Sequence, residues 1–289
     1  MFKKKKDQTY QSYWSISWNI FKKNKVAMVC LFIVILLCLI ALFAPLIAPY
    51  DPNKQVLTDR LMKPCGQHWF GTDDLGRDIF SRIIYVCRVS LSVGIISQII
   101  ATVIGYTMGV CAGYYGGKVD SVISFLIQVF SSFPFLLFAM AIMFVLGPGL
   151  INLYLALGLL GWASTARLIR GDVMRLKKME YIDACKVSGG NSFRIIMKHL
   201  LPNCLSTLIV TVTLGIPNAI MSEASLSFLG LGVKAPMASW GSMISFSQPY
   251  IRSATYYSVI PGLAIIITVL AFNMLGDGLR DALDPKLRS

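Results

Sequence analysis

The sequence predicts an all-α polytopic membrane protein with six transmembrane helices and both termini in the cytoplasm. Of its 289 residues, 55% are hydrophobic and only 14% are charged, against roughly 25% charged in an ordinary soluble domain. Several uncharged blocks are each long enough to cross about 30 Å of hydrocarbon. The basic residues are concentrated in particular connections, the pattern that sets orientation in a bilayer. The net charge of +13 is therefore read as topology and contact with anionic membrane lipid, and not as nucleic-acid binding.

Residues 1–25 form a basic cytoplasmic segment with seven lysines and one aspartate, net +6. The apolar run that follows exceeds the signal-peptide range and has no small-residue cleavage site. Residues 26–50 carry no charge and are assigned as the first transmembrane helix. Residues 51–88 hold six basic and five acidic groups, net +1, and are placed outside. Five further helices and a cytoplasmic insert occupy residues 89–289. The second span lies within 89–116. The uncharged block 121–166 is too long for one helix, and Gly147-Pro148-Gly149 divides it into two. The fifth span runs from near Leu200 toward Leu229, and the sixth covers 256–274.

The insert at 167–202 contains eight Lys/Arg and three acids between 167 and 199, net +5. Its basic character puts it on the same side as the N-terminus, as an N-in chain of six spans requires. Seven cysteines without a CxxC and only two histidines support no zinc cluster; the cysteines in apolar blocks read as small hydrophobic residues.

The spans are punctuated by small and polar residues. Gly94, Gly105, Gly109 and Gly113 interrupt the second; Thr211, Thr213, Gly215, Pro217, Asn218 and Ser222 interrupt the fifth. Such residues allow close helix packing or line a polar passage. Asn218, Ser222 and Glu223 are the candidates for a translocation path or gate. An acid such as Glu223 inside an apolar span belongs in the bundle interior, against a partner chain or at an aqueous mouth.

Within the insert, Glu180 through Val187 has the periodicity of a short surface helix. Ser188-Gly189-Gly190 then breaks it, since Gly189 or Gly190 can take the positive φ of a helix C-cap. Asn191 or Ser192 caps the next helix, which leads to Leu201-Pro202. Two glycine-split helices anchored in the bilayer at both ends point to docking of a soluble partner, with an amphipathic helix lying on the lipid surface as the alternative.

These residues resemble the EAA loop of binding-protein-dependent ABC importer permeases. Asp183-Ala184-Cys185 matches the Glu-Ala-Ala positions, preceded by Glu180-Tyr181. Gly189 matches the family glycine, and Ile195 through Leu201-Pro202-Asn203 the closing pattern. His68-Trp69-Phe70-Gly71-Thr72-Asp73-Asp74-Leu75-Gly76-Arg77-Asp78, the Glu223–Gly232 run, Ser239-Trp240-Gly241 and the segment from Gly276 to Pro285 narrow the resemblance to the second permease of oligopeptide, dipeptide and nickel importers. Where relatives often carry an arginine and an aspartate, this chain has Phe125 and Gln128.

The resemblance implies a type I ABC importer fold, with residues 89–289 as permease core and 167–202 as coupling insert. It implies that Glu180, Tyr181, Asp183, Ala184, Cys185, Gly189 and Pro202 serve the coupling to ATPases. It also implies a homologous second permease subunit, two cytoplasmic ABC ATPase subunits and an extracytoplasmic substrate-binding protein. The chain has no GxxxxGK[ST] loop. It is therefore expected to be non-catalytic and to bind no cofactor, with ATP and Mg used by the partner ATPases. Short peptides are the expected cargo. The alternatives are nickel or a nickel chelate in the same family, and a passive channel as a different class.

Overall fold

A computed structural model describes residues 13–284. The lysine-rich start before residue 13 and the last five residues, including Pro285 of the closing motif, lie outside the described residues. The helices in chain order are α1 (Tyr13–Lys23), α2 (Lys25–Leu42), α3 (Ala44–Ile47), α4 (Ile79–Tyr115), α5 (Gly117–Ser132), α6 (Phe135–Leu146), α7 (Leu150–Leu176), α8 (Glu180–Val187), α9 (Ser192–Ile195), α10 (Leu201–Phe228), α11 (Trp240–Ser247) and α12 (Thr255–Leu283).

Among the described residues, four helical stretches are each long and apolar enough to cross a membrane: Lys25–Leu42, Ile79–Tyr115, Ser192–Phe228 and Thr255–Leu283. The pair α5–α6 passes the same test only as one element bent by 90°. A sixth crossing requires α7. Its 27 residues rise about 40 Å, but Asn152, Tyr154, Ser164 and Thr165 dilute its apolar character.

Several boundaries differ from the sequence reading, each for a local reason. Within 26–50 the helix stops at Leu42, and Pro45 opens the separate turn α3. In contrast, α4 begins at Ile79, ten residues before the uncharged block at 89. Its start is fixed by Asp78, whose Oδ2 accepts from the Ser81 N–H at 2.7 Å; Arg82 and Arg88 end the uncharged block without ending the helix. The break between α5 and α6 falls at Phe133-Pro134. Phe133 is extended at φ −94°, ψ 139°, as expected of a residue preceding proline. A π turn at Ile196–Leu200 precedes Pro202, which has no N–H to give the Lys198 carbonyl. The unanticipated α11 is started by a reciprocal cap between Ser239 and Ser242.

The most extensive packing joins α4 to α7. Gly105, Gly109 and Gly113 recur every fourth residue on the contacting face of α4. A Cβ at Gly105 would lie 2.6 Å from the Thr165 Cβ, one at Gly109 2.7 Å from the Ala166 carbonyl oxygen, and one at Gly113 2.8 Å from the Val173 Cβ. The backbones touch because these side chains are missing. A second core gathers Ile79, Leu91, Ile220, Trp240, Met243 and Tyr257 between α4, α10, α11 and α12. Outside, α2 exposes Phe32, Ile35, Leu36 and Leu39, a face suited to lipid.

Residues 51–78 fold tightly over the bundle end opposite the insert. Asp73 Oδ1 accepts from the Leu75 and Arg77 N–H groups at 2.9 Å, and its Oδ2 accepts from Arg77 Nε at 2.6 Å. The His68 Nδ1 lies 2.9 Å from Asp78 Oδ1. The Tyr256 hydroxyl donates to the Met62 carbonyl at 2.9 Å, and Tyr257 to Asp74 at 3.1 Å, fastening the segment to α12. Buried Thr72, Asp73 and Asp78 thus give the 68–78 motif a structural use: it builds a fixed cap.

Candidate functional site

A cavity of about 1030 Å³ opens between α4, α7, α10, the α5–α6 elbow and the end of α12. Its longest wall is one face of α10, where Thr207, Thr211, Asn218 and Ser222 recur at intervals of four, seven and four residues. That spacing keeps all four on one helical stripe. From α7 come Leu157, Gly161, Ser164 and Leu168, from α4 Ser97 and Gln98, and from the elbow Phe130, Phe133, Phe135 and Phe138. Arg280 and Asp284 lie at the insert end; the rest of the lining is uncharged.

Asn218 and Ser222 thus both line this cavity. Glu223, their neighbour in sequence, faces the other way. It is wholly buried in the bundle interior, one of the three positions that its charge permits. Its Oε1 accepts from the Ser227 hydroxyl at 2.5 Å, and Ser227 in turn accepts from the Ser239 hydroxyl at 3.1 Å. Ser239 caps α11, and the next N–H, that of Trp240, donates to Ser90 of α4 at 3.3 Å. The acid thus ties α10 to α11 and α4. Phe125 and Gln128 are both exposed on α5.

The insert is a packed unit. Ile182 of α8 is fully buried with Ile169, Val173, Leu176, Ile195 and Leu200, so α8 rests on α7 and on the root of α10. Glu180, Tyr181, Asp183, Ala184 and Val187 are exposed, and Cys185 is half-buried. Asp183 accepts from Lys186 Nζ at 2.8 Å. After α8, the Gly189 N–H donates to the Lys186 carbonyl at 3.0 Å and the Gly190 N–H to the Cys185 carbonyl at 2.9 Å. This is the Schellman pair of bonds, with Gly189 at φ +79° in the left-handed position. Gly190 is needed for space: a Cβ there would lie 2.6 Å from the Cys185 Sγ and 2.7 Å from its carbonyl oxygen. Asn191 accepts from the Arg194 N–H at 2.8 Å and caps α9. Exposed Pro202 follows the π turn at the start of α10.

The helices that enter and leave the insert are also joined above it. The Thr207 hydroxyl of α10 donates to Asp172 of α7 at 2.6 Å. On the other face of α7, Arg170 donates through Nε and Nη2 to both oxygens of Asp120 at 2.5 and 2.7 Å. The Lys177 ammonium donates to the Tyr114 carbonyl at the end of α4 at 2.5 Å. The stripe 207, 211, 218, 222 was visible as spacing in the sequence, though only Asn218 and Ser222 were singled out. Gln98 and Ser164 carried no local signal, because only the bundle brings α4 and α7 to that stripe.

The chain matches the family model described as "Binding-protein-dependent transport system inner membrane component" over residues 101–289. A second model, "N-terminal TM domain of oligopeptide transport permease C", matches residues 12–64. The dipeptide transport system permease protein DppC of Bacillus subtilis is 46% identical over 278 residues, covering 96% of this chain and 87% of the relative. The oligopeptide transport system permease protein OppC of the same organism is 42% identical over 277 residues, covering 96% and 91%. The glutathione transport system permease protein GsiD of Pectobacterium atrosepticum is 41% identical over 285 residues, covering 98% and 95%. A solved inward-facing structure of the MetNI methionine ABC transporter aligns with a TM-score of 0.57 at 19% identity, covering 71% of this chain and 98% of that one. That likeness is one of fold, and it bears out the importer-type helical architecture read from the sequence.

Proposed function

The chain belongs to the family of binding-protein-dependent transport system inner membrane components, multi-pass proteins of the bacterial membrane, and we propose that it passes short peptides through an ATP-driven importer. The cavity beside α10 carries this reading. It is large enough for a short peptide, at about 1030 Å³, and its long wall carries a stripe of polar side chains without charge. Such a wall serves cargo of varied side chains, because it engages what all peptides share. Relatives named for dipeptide and oligopeptide transport, 42–46% identical over nearly the whole chain, support the same cargo.

In this proposal the chain hydrolyses nothing itself. Two cytoplasmic ABC ATPase subunits use ATP and Mg, a homologous second permease closes the open side of the cavity, and an extracytoplasmic binding protein delivers the peptide. Six crossings, counting the bent α5–α6 pair and α7, leave the insert and both termini inside. The exposed face of α8, with Tyr181, Ala184 and Val187, lies in a groove of one ATPase; Glu180, Asp183 and Lys186 set its orientation. Ile182 locks α8 onto α7 and α10, so displacement of α8 moves both helices. Nucleotide-driven closure of the ATPases then shifts the cavity between inward-facing and outward-facing populations.

Reconstitution of the full assembly in proteoliposomes tests this. Labelled tripeptide accumulates inside only with ATP, the ATPases and the binding protein present, and nickel does not. Accumulation of nickel without peptide points to the metal-importing branch of the family. Equilibration of peptide without ATP indicates a passive channel.

A further inference from the structure

We propose that the α10–α7 wall of the cavity is a ladder of hydrogen-bond acceptors that recognises cargo by its N–H groups: the backbone amides and terminal ammonium of a peptide. The inference rests on the reading of this cavity as the peptide path.

Four hydroxyls that line the cavity have already committed their hydrogens. Thr207 donates to Asp172 at 2.6 Å, Thr211 to the Thr207 carbonyl at 2.7 Å, and Ser222 to the Asn218 carbonyl at 2.8 Å. Across the cavity, Ser164 donates to the Gly161 carbonyl at 3.1 Å. The Asn218 amide gives one of its two hydrogens to the Leu214 carbonyl at 3.2 Å. A hydroxyl has one hydrogen and two acceptor lone pairs, and an amide oxygen has two. With their hydrogens held by the protein, the hydroxyls of Thr207, Thr211, Ser222 and Ser164 present lone pairs to the cavity, and Asn218 adds an amide oxygen. For Thr211, Ser222 and Ser164 the acceptor is the helix carbonyl three or four residues earlier, the local bond that such side chains favour.

The geometry suits an extended chain. From Thr207 to Ser222 the helix rises about 22 Å, the length of about six or seven extended residues. Acceptors on α10 and on Ser164 of α7 face one space from two sides, matching a peptide whose N–H groups alternate in direction. The phenyl rings of the elbow offer apolar surface to side chains without selecting among them. Arg280 and Asp284 stand at one end, so along the ladder the selection is by donor and not by charge.

The test compares trialanine with its analogue methylated on both peptide nitrogens, in proteoliposomes containing the full assembly and a saturating binding protein. The affinity of the binding protein for each peptide is measured separately and divided out. The wild type imports trialanine in preference to the methylated peptide, by about two- to tenfold for each hydrogen bond lost. Thr211→Val, Ser222→Ala and Ser164→Ala each lower that ratio, and the combined variant brings it near one. Each variant is its own reference on the two peptides, so a general loss of rate cancels. An unchanged ratio in all the variants overturns the ladder, even if both rates fall. Import of neither peptide by a wild-type assembly that still hydrolyses ATP overturns the peptide reading itself, and the ladder with it.

Discussion

The hydroxyl of Thr207 on α10 donates to the carboxylate of Asp172 on α7 at 2.6 Å, bridging the two helices just where they lead into the insert. Below this bridge, Ile182 wedges α8 between the same two helices. The insert is therefore clamped to the cavity walls at two levels. Thr207→Val keeps the shape and removes the donor, leaving a carboxylate with one partner fewer. ATP-driven uptake should fall several-fold, while Thr207→Ser, which keeps the hydroxyl, should restore most of it. Equal uptake by all three proteins would show that the bridge plays no part in coupling.

The turn after α8 distinguishes two reasons for glycine. Gly189 holds a left-handed φ of +79° with open space around it, so Gly189→Ala costs about 1–2 kcal/mol of local strain. Gly190 has no room, because the Cys185 Sγ and carbonyl oxygen occupy it. Adding Cys185→Ala should recover part of the loss in Gly190→Ala, by removing the sulfur but not the carbonyl, and should recover nothing in Gly189→Ala. Thermal unfolding of the four variants in detergent reads the difference.

Glu223 is expected to stabilise and not to select. Its Oε1 holds the Ser227 hydroxyl at 2.5 Å, and Ser227 holds Ser239 at the cap of α11. Glu223→Ala strands the Ser227 hydroxyl in the interior, a loss on the order of 1–3 kcal/mol, visible as a lower unfolding midpoint. Glu223→Gln retains an acceptor oxygen and should be milder. Neither variant should alter the preference among peptides, because the residue faces away from the cavity; a changed preference in uptake competition would contradict that placement.

The glycine seam between α4 and α7 should be intolerant of any side chain. At Gly109 the obstructing atom is the Ala166 carbonyl oxygen at 2.7 Å, which is backbone and cannot swing aside. Gly109→Ala should separate the helices and reduce recovery of folded protein in membranes. Gly171→Ala, with nothing within 4 Å of the new Cβ, should be recovered normally. Immunodetection of the two proteins in purified membranes makes the comparison.

The Gly147-Pro148-Gly149 turn marked the break between α6 and α7, because backbone breakage is a local property. Arg82 and Arg88 obscured the start of α4: a rule based on absent charge cannot recognise a helix that continues into the polar cap. Pro134 signalled the elbow within 121–166, yet block length alone hid it; the residue before proline adopts extended backbone whatever its apolar surroundings. The short helices and the glycine turn of the insert were legible almost completely, since capping and glycine chemistry act within a few residues. The orientation of Glu223 was not, because adjacent residues on a helix point about 100° apart, and only the placement of α11 decides which side is interior. Gln98 and Ser164 join the cavity through tertiary packing alone.

Val187 tests the coupling surface most directly. It is 90% exposed on α8, so its replacement by aspartate leaves the fold of the insert untouched and places a charge on the face proposed to meet an ATPase. ATP-driven peptide uptake by the full assembly carrying Val187→Asp, measured in proteoliposomes, should fall to the level of vesicles lacking the ATPases. Uptake at the wild-type rate would contradict the assignment of α8 as the element through which ATP hydrolysis moves this permease.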